Sequence, residues 1–217
     1  MEDSYRHKGM RKKLVAEVRR KGIRDEKILQ AIHDLPRHFF LDKAFEELAY
    51  TDKALPIAAD QTISQPYTVA YQTELLNVKK GSRVLEVGTG SGYQACILAL
   101  LGAKVYSIER QEALFRKSVS FLPSIGFKQI RIFHKDGYEG LPQIAPFDRI
   151  LVTAGARDIP EKLLQQLKVG GIMVIPVGGD DVQKMMRITR TSEQQWTKEV
   201  FDDFRFVPML TGRVDLS

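Results

Sequence analysis

The stretch Val84-Leu85-Glu86-Val87-Gly88-Thr89-Gly90-Ser91-Gly92-Tyr93 decides the fold. Val84, Leu85 and Val87 form the apolar run of a strand covered on both faces. Glycines at 88, 90 and 92 let the backbone turn sharply and approach a ligand closely. Residues 94–101 then read as a helix whose N-terminus presents free N–H groups.

The turn departs from the dinucleotide fingerprint G-x-G-x-x-G. The third glycine comes one residue early, and Tyr93 stands in its place. Glu86 ends the strand, where a carboxylate is a poor neighbour for a pyrophosphate and a good one for a cationic ligand. S-adenosyl-L-methionine has a sulfonium, an ammonium and a ribose but no phosphate, and it fits. Lys104–Glu109 is a second strand ending in an acid, 21 residues after Gly88. At that offset a carboxylate accepts the hydroxyls of an adenosine ribose. Residues 129–133 form a third strand, followed by Asp136-Gly137. Here the acid is placed to reach an adenine amino group and the glycine to admit the ring. A plain Asp-Gly turn is the other reading.

Outward from this centre, 217 residues suit one α/β domain, 1–217. Residues 1–68 are expected to hold N-terminal helices and a substrate loop, and 69–217 a Rossmann-like core. Helices are expected over 9–22, with Gly22 as its stop, and after Asp25 as a cap, ending at Pro36. His38 reads as a structural hydrogen-bonding group. Residues 51–68 read as an irregular loop reaching the glycine turn, and a helix follows over about 69–77. Further on come a helix over 111–122, a strand at 146–153, a helix carrying Leu163, Leu164 and Leu167, and a strand at 172–177 after the Gly170-Gly171 turn. Residues 182–190 and 196–204 alternate as a hairpin. This order implies a doubly wound, mostly parallel sheet with an antiparallel C-terminal edge.

The net charge of +6 lies wholly in residues 1–24, with nine Lys/Arg against three Asp/Glu. A basic helix there suits either nucleic acid or plain solvent; without interleaved aromatic residues to stack bases, solvent is preferred. No apolar run approaches a bilayer span and no signal-peptide pattern opens the chain. Cys96 is the one cysteine. These features predict a cytoplasmic protein with no membrane association and no nucleic-acid partner.

The chain resembles the protein-L-isoaspartate (D-aspartate) O-methyltransferases along nearly its whole length. The resemblance is most specific in Gln61-Thr62-Ile63-Ser64-Gln65-Pro66 and in Leu85 to Gln94. It continues through Pro36-Arg37-His38, Ala54-Leu55-Pro56-Ile57, Pro146-Phe147-Asp148 and Phe204-Arg205-Phe206-Val207-Pro208. It implies a class I S-adenosylmethionine-dependent fold of seven strands with an N-terminal helical addition. It also implies methyl transfer to the free α-carboxylate of L-isoaspartyl residues in damaged proteins, which then close to a succinimide. By the same resemblance Ser64 is the active-site residue. Glu86, Gly88, Thr89, Gly90, Glu109, Arg110, Asp136, Gly137 and Thr153 are the expected cofactor set. Thr62, Ile63, Ser64, Gln65 and Val207 are the expected substrate contacts, and a monomer is expected. Ala58 and Asp60 stand where the family usually has glycines, which puts the path of the Ser64 loop in question.

This chemistry needs little machinery. A carboxylate is already ionised at neutral pH and needs no general base, and a sulfonium is already an activated donor. Accordingly no Ser-His-Asp set, no activated cysteine and no metal-ligand spacing is evident, and no metal is expected. Rival readings are a nucleic-acid methyltransferase, some other S-adenosylmethionine-dependent methyltransferase, a non-catalytic cofactor-binding protein and a nicotinamide oxidoreductase. The first lacks an [N/D]-P-P-[Y/F] motif, since Thr153-Ala154-Gly155-Ala156 stands in its place. The acids Glu86, Glu109 and Asp136 are all present, which weighs against a non-catalytic protein. Tyr93 and Glu86 weigh against a nicotinamide site.

Overall fold

The computed structural model describes residues 2–216. Helix α1, Tyr5–Arg20, starts four residues before the expected point because Ser4 and His7 form a capping box. Gly22 ends it at φ 110°. Asp25 caps α2, Glu26–Asp34, through the Lys27 amide. Two 3-10 turns follow, Arg37–Phe40 and Lys43–Leu48. The stretch 51–68, expected to be irregular, contains a small antiparallel hairpin of β1, Leu55–Pro56, and β2, Thr62–Ile63. Its strands are two residues long, too short for any alternation to show in the sequence. Pro66 opens α3, Pro66–Leu76, three residues earlier than expected, as the N1 preference of proline allows.

Seven further strands form one sheet: β3, Arg83–Val87; β4, Lys104–Glu109; β5, Arg131–His134; β6, Phe147–Val152; β7, Leu167–Gly178; β8, Gln183–Ser192; and β9, Gln195–Phe204. Their spatial order is β5-β4-β3-β6-β7-β8-β9, parallel from β5 to β7 and antiparallel for the last two pairs. The connecting helices are α4, Tyr93–Leu100, α5, Glu112–Ser124, and α6, Glu161–Gln165. Leu167, expected in the helix, begins β7 instead. The Phe147–Leu167 and Arg149–Ile172 pairings leave surplus residues on β7, which Gly170 (φ 80°) and Gly171 absorb as a bulge. The strand order reverses between β3 and β6, and ligands of open α/β sheets bind at such a switch point.

Val84, Leu85, Glu86 and Val87 are all buried, as a strand covered on both faces requires. The N-terminal helices join the same core. Leu14, Val18, Ile28, Leu29 and Ile32 cluster with Tyr93, Cys96 and Ile97 of α4. Tyr93, the residue in the place of a third fingerprint glycine, lies edge-on to Phe40 at 5.3 Å between ring centroids. Gly92 makes the close helix approach one position earlier; a Cβ there would sit 2.8 Å from the Leu122 side chain. His38 accepts from or donates to the Tyr50 hydroxyl at 2.6 Å, a packing role as expected.

At the tip of the β1–β2 hairpin Ala59 and Asp60 have φ of 57° and 53°. Asp60 thus takes up the backbone freedom of one expected glycine, and Ala59, not Ala58, carries the less tolerable conformation. A left-handed non-glycine residue costs roughly 1–2 kcal/mol. Ala59→Gly is therefore expected to keep or raise the melting temperature, and Ala59→Val to lower it by several degrees, read by calorimetry. The reverse order would show that the tip does not hold this backbone.

Candidate active site

Most of the wall of the main cleft comes from the C-terminal ends of strands and the loops after them, with Val69 of α3 and Tyr93 and Gln94 of α4 completing it. The cleft is partly enclosed and lined by apolar side chains together with a few polar groups, as small-molecule sites are. The turn after β3 supplies Gly88, Thr89 and Gly90, and the end of β4 supplies Glu109 and Arg110. Gly137 comes from the loop after β5 and Thr153 from the end of β6, while the hairpin side gives Thr62, Ile63 and Ser64. Gly88 is in the left-handed region at φ 99°, and a Cβ on it would stand 2.5 Å from the Thr153 hydroxyl. That hydroxyl donates to the Val87 and Gly88 carbonyls at 3.0 and 2.8 Å.

The Glu109 carboxylate ties the two sides together. One oxygen accepts from the Gly90 amide at 2.8 Å and the other from the Gln111 amide at 2.9 Å. Burial pushes its pKa up, and these amides oppose the rise. Each oxygen keeps a lone pair for a hydroxyl donor.

Two expected cofactor residues do not line this cleft. Glu86 is fully buried beneath the turn, because the side chain at this register points into the sheet packing. One of its oxygens accepts from the Ser107 hydroxyl at 2.5 Å, and Ser107 lies 2.6 Å from the Thr89 hydroxyl. Through Ser107, Glu86 supports Thr89 at the cleft wall, while its other oxygen, Oε1, has no protein partner among the described residues. Burial pushes its carboxyl pKa up to about 8. Asp136 is held elsewhere: its oxygens accept from the Tyr138 amide at 2.9 Å and the Gly212 amide at 2.6 Å. The loop presents the Gly137 backbone to the cleft and turns the Asp136 side chain away. Gln65 lines the adjoining groove instead of the cleft.

The C-terminal tail forms a wall that sequence reasoning extended only to Pro208. Pro208, Met209 and Leu210 line the cleft. The tail is fixed by Gly155 on both sides: its amide donates to the Val207 carbonyl and its carbonyl accepts from Met209, at 2.8 and 2.7 Å. Beyond it, Arg110 donates to the Gly212 and Thr211 carbonyls, and Val214 pairs with Gln111 as an isolated bridge. Isolated bridges carry no periodicity, so the sequence had no signal for them beyond the apolar Met209-Leu210 pair.

A second, open groove shares Thr62, Ser64, Thr153 and Val207 with the cleft and adds Tyr67, Phe204, Arg205 and Phe206. Ser64 stands where the two spaces meet, half-buried. Among the described residues its hydroxyl has no protein partner. One His/acid constellation among the described residues has metal-like spacing, Asp3, His7 and His38. Asp3 is held by both Arg11 terminal nitrogens at 2.9 Å. His7 Nδ1 accepts from the Ser4 amide, which places the proton on the nitrogen facing Glu46. The lone pairs a metal needs are thus already engaged.

Compared with known proteins, residues 9–214 match the family model described as protein-L-isoaspartate(D-aspartate) O-methyltransferase. The chain belongs to this family. A Christiangramia forsetii protein-L-isoaspartate O-methyltransferase is 60% identical over 98% of this chain and 100% of its own. One from Cytophaga hutchinsonii is 57% identical over 97% of this chain and 95% of its own. Among solved structures, a protein-L-isoaspartate O-methyltransferase superposes with TM-score 0.83 at 28% identity, over 91% of this chain and 65% of that one. A Plasmodium falciparum beta-aspartate methyltransferase in complex with S-adenosyl-L-homocysteine gives TM-score 0.81 at 27% identity, over 94% of this chain and 98% of that one. The chain is thus a methyltransferase of the S-adenosylmethionine-dependent class, with the corresponding fold. Among the described residues no helix is long and apolar enough to cross a membrane.

The geometry fits the cofactor through the glycine turn and Glu109. Glu109→Ala is expected to weaken S-adenosyl-L-homocysteine binding at least tenfold in calorimetry while the circular dichroism spectrum is kept; unchanged affinity would contradict the ribose role. Glu86 gives a pH signature. Its folded pKa lies above the unfolded carboxylate value, so ionisation of the unfolded chain costs stability from about pH 4.5 upward. The loss levels off near pH 8, where the folded form also ionises. Glu86→Gln should remove this loss. Its melting temperature should exceed the wild type's by more at pH 8 than at pH 5, with cofactor affinity changed little.

Proposed function

We propose that the cleft binds S-adenosyl-L-methionine through Gly88, Thr89, Gly90, Glu109, Arg110, Gly137 and Thr153, and that the groove beside it receives an isoaspartyl segment of a damaged protein. The observation that carries this reading is the position of the unpartnered Ser64 hydroxyl at the junction of the two spaces. When bound, the cofactor supplies an electrophilic methyl group on a sulfonium. Ser64 then donates a hydrogen bond to the substrate α-carboxylate and holds one oxygen toward the cleft. Such a bond to a charged group contributes about 1.5–3 kcal/mol, and a neutral donor leaves the carboxylate nucleophilic. Orientation is the main contribution, since holding two reactants in register can lower a barrier by on the order of 7–11 kcal/mol.

Selectivity for the isoaspartyl linkage follows from the same geometry. A normal aspartyl residue offers its carboxylate one methylene further from the main chain on a differently directed branch. Thr62, Ile63 and Gln65 on the hairpin side and Val207 on the tail are our assignment for the groove's substrate contacts; recognition there is by main chain, which tolerates varied flanking sequences.

We further read the chain as a monomeric cytoplasmic enzyme that does not act on nucleic acid. The ion pairs of the basic N-terminus support the last point alone: Arg6, Arg11, Arg19 and Lys21 face Glu47, Asp3, Glu26 and Asp52.

The test is transfer of labelled methyl to a short isoaspartyl peptide beside its aspartyl twin. Labelling of the first alone is expected; equal labelling of both, or of neither, rejects the reading. Ser64→Ala should lower kcat roughly ten- to a hundredfold, matching the loss of one such hydrogen bond, with cofactor affinity kept. Undiminished turnover would leave Ser64 as an ordinary turn residue.

A further inference from the structure

The hydroxyl of Ser64 is free, but its main chain is not. Arg37, in the first 3-10 turn, has a side chain with 0% exposure. One terminal nitrogen donates to the Ala49 carbonyl at 2.7 Å, and the other to the carbonyls of Lys53 at 3.2 Å and Ser64 at 3.1 Å. Its guanidinium lies 5.9 Å from the Tyr93 ring centroid, packed on the first turn of α4. Asp52 grips the residues just after Ser64. Its side chain is 2% exposed and takes the Lys21 ammonium. One oxygen accepts from the Gln65 side-chain amide at 2.9 Å and the other from the Tyr67 amide at 2.8 Å. The carbonyl of residue 64, the side chain of 65 and the amide of 67 are thus all held from residues 37–52. Neither Arg37 nor Asp52 lines the cleft.

Arg37 is an uneconomical packing residue. Burial draws its pKa down to about 10, so it is still a cation at neutral pH. Its Nε has no partner. An apolar side chain of similar volume would avoid the cost of burying a charge, but it would leave the Ala49, Lys53 and Ser64 carbonyls without this donor. What an apolar residue cannot do is fix a carbonyl at the mouth of the cleft. Arginine's rigid fork reaches three carbonyls from separate stretches of chain at once.

We propose that Arg37 and Asp52 are positioning residues that clamp Ser64 from two sides, so that its hydroxyl meets the substrate carboxylate in register with the methyl donor. The proposal rests on the methyl-transfer reading above. A misplacement of 1 Å in such a group can cost on the order of a hundredfold in rate. The N-terminal addition is then part of the catalytic apparatus without touching either reactant.

The test uses the full chain with Arg37→Lys, Asp52→Asn and the double variant. Methyl transfer to the isoaspartyl peptide is measured per cofactor-binding site, with S-adenosyl-L-homocysteine affinity from calorimetry and amide hydrogen exchange over residues 62–67. Arg37→Lys is expected to lower kcat at least tenfold and Asp52→Asn several-fold, with KM and cofactor affinity within threefold of wild type. Exchange should quicken at 62–67 and not in β3 or β4. The double variant should lose less than the product of the single losses, as two parts of one clamp do. A kcat within twofold of wild type overturns the clamp, whatever happens to the melting temperature. Should Arg37→Lys fail to fold, Asp52→Asn decides by the same criterion. A wild type that labels neither peptide removes the methyl-transfer reading and the clamp with it; an active wild type with undisturbed variants removes the clamp alone.

Discussion

The bond between the Glu109 carboxylate and the Gly90 amide ties the end of β4 to the turn after β3, the strand beside which the sheet order reverses. Without an acceptor there, the glycine turn would hold left-handed residues at 88, 90 and 92 with little to select one path. With it, the turn after β3 becomes a rigid rim, and the Thr153 hydroxyl locks the other side onto the Val87 and Gly88 carbonyls. The remaining walls are set against that rim. Gly137 approaches so closely that a Cβ on it would lie 2.4 Å from Val87, and the tail packs Met209 beside it. The buried Glu86 supports the rim from below through Ser107 and Thr89.

The second half of the site is assembled differently. The Ser64 loop does not grow out of the sheet; it is held by the helical segment ahead of it through Arg37 and Asp52. That segment is in turn anchored on α4, the helix that follows the glycine turn, by one apolar cluster containing Leu14, Ile32, Tyr93 and Ile97. Donor side and acceptor side therefore meet through α4. Tyr93 serves both, as the first helical residue after the turn and as the surface on which Arg37 lies.

The strands of the sheet were legible because most carry either a mainly apolar run, as Val84-Leu85-Glu86-Val87 does, or the alternation seen in β8 and β9. Both patterns are local. The β1–β2 hairpin and the tail beyond Pro208 depend on pairing between distant residues in stretches too short for a period, so neither could be read as an element from the sequence. Among the site residues, chain position placed Glu109 at the end of its strand and Gly137 in its loop. It gave no sign of which way the Glu86 and Asp136 side chains point. A carboxylate two residues before a glycine turn can face the ligand or the sheet, and only packing decides. The Ala58 and Asp60 departures were visible as a problem in the sequence, but the strain had moved to Ala59, since φ depends on the whole turn.

The cleft wall draws on stretches far apart in the chain, among them 62–64, 88–90, 109–110, 137, 153 and 207–210. A small molecule lodged there stitches both ends of the sequence to its middle, and it finds that surface only when every stretch is in place. Occupancy therefore adds to global stability by mass action as well as equipping the protein for chemistry. Cellular supply of the donor would set how firmly the whole chain holds together.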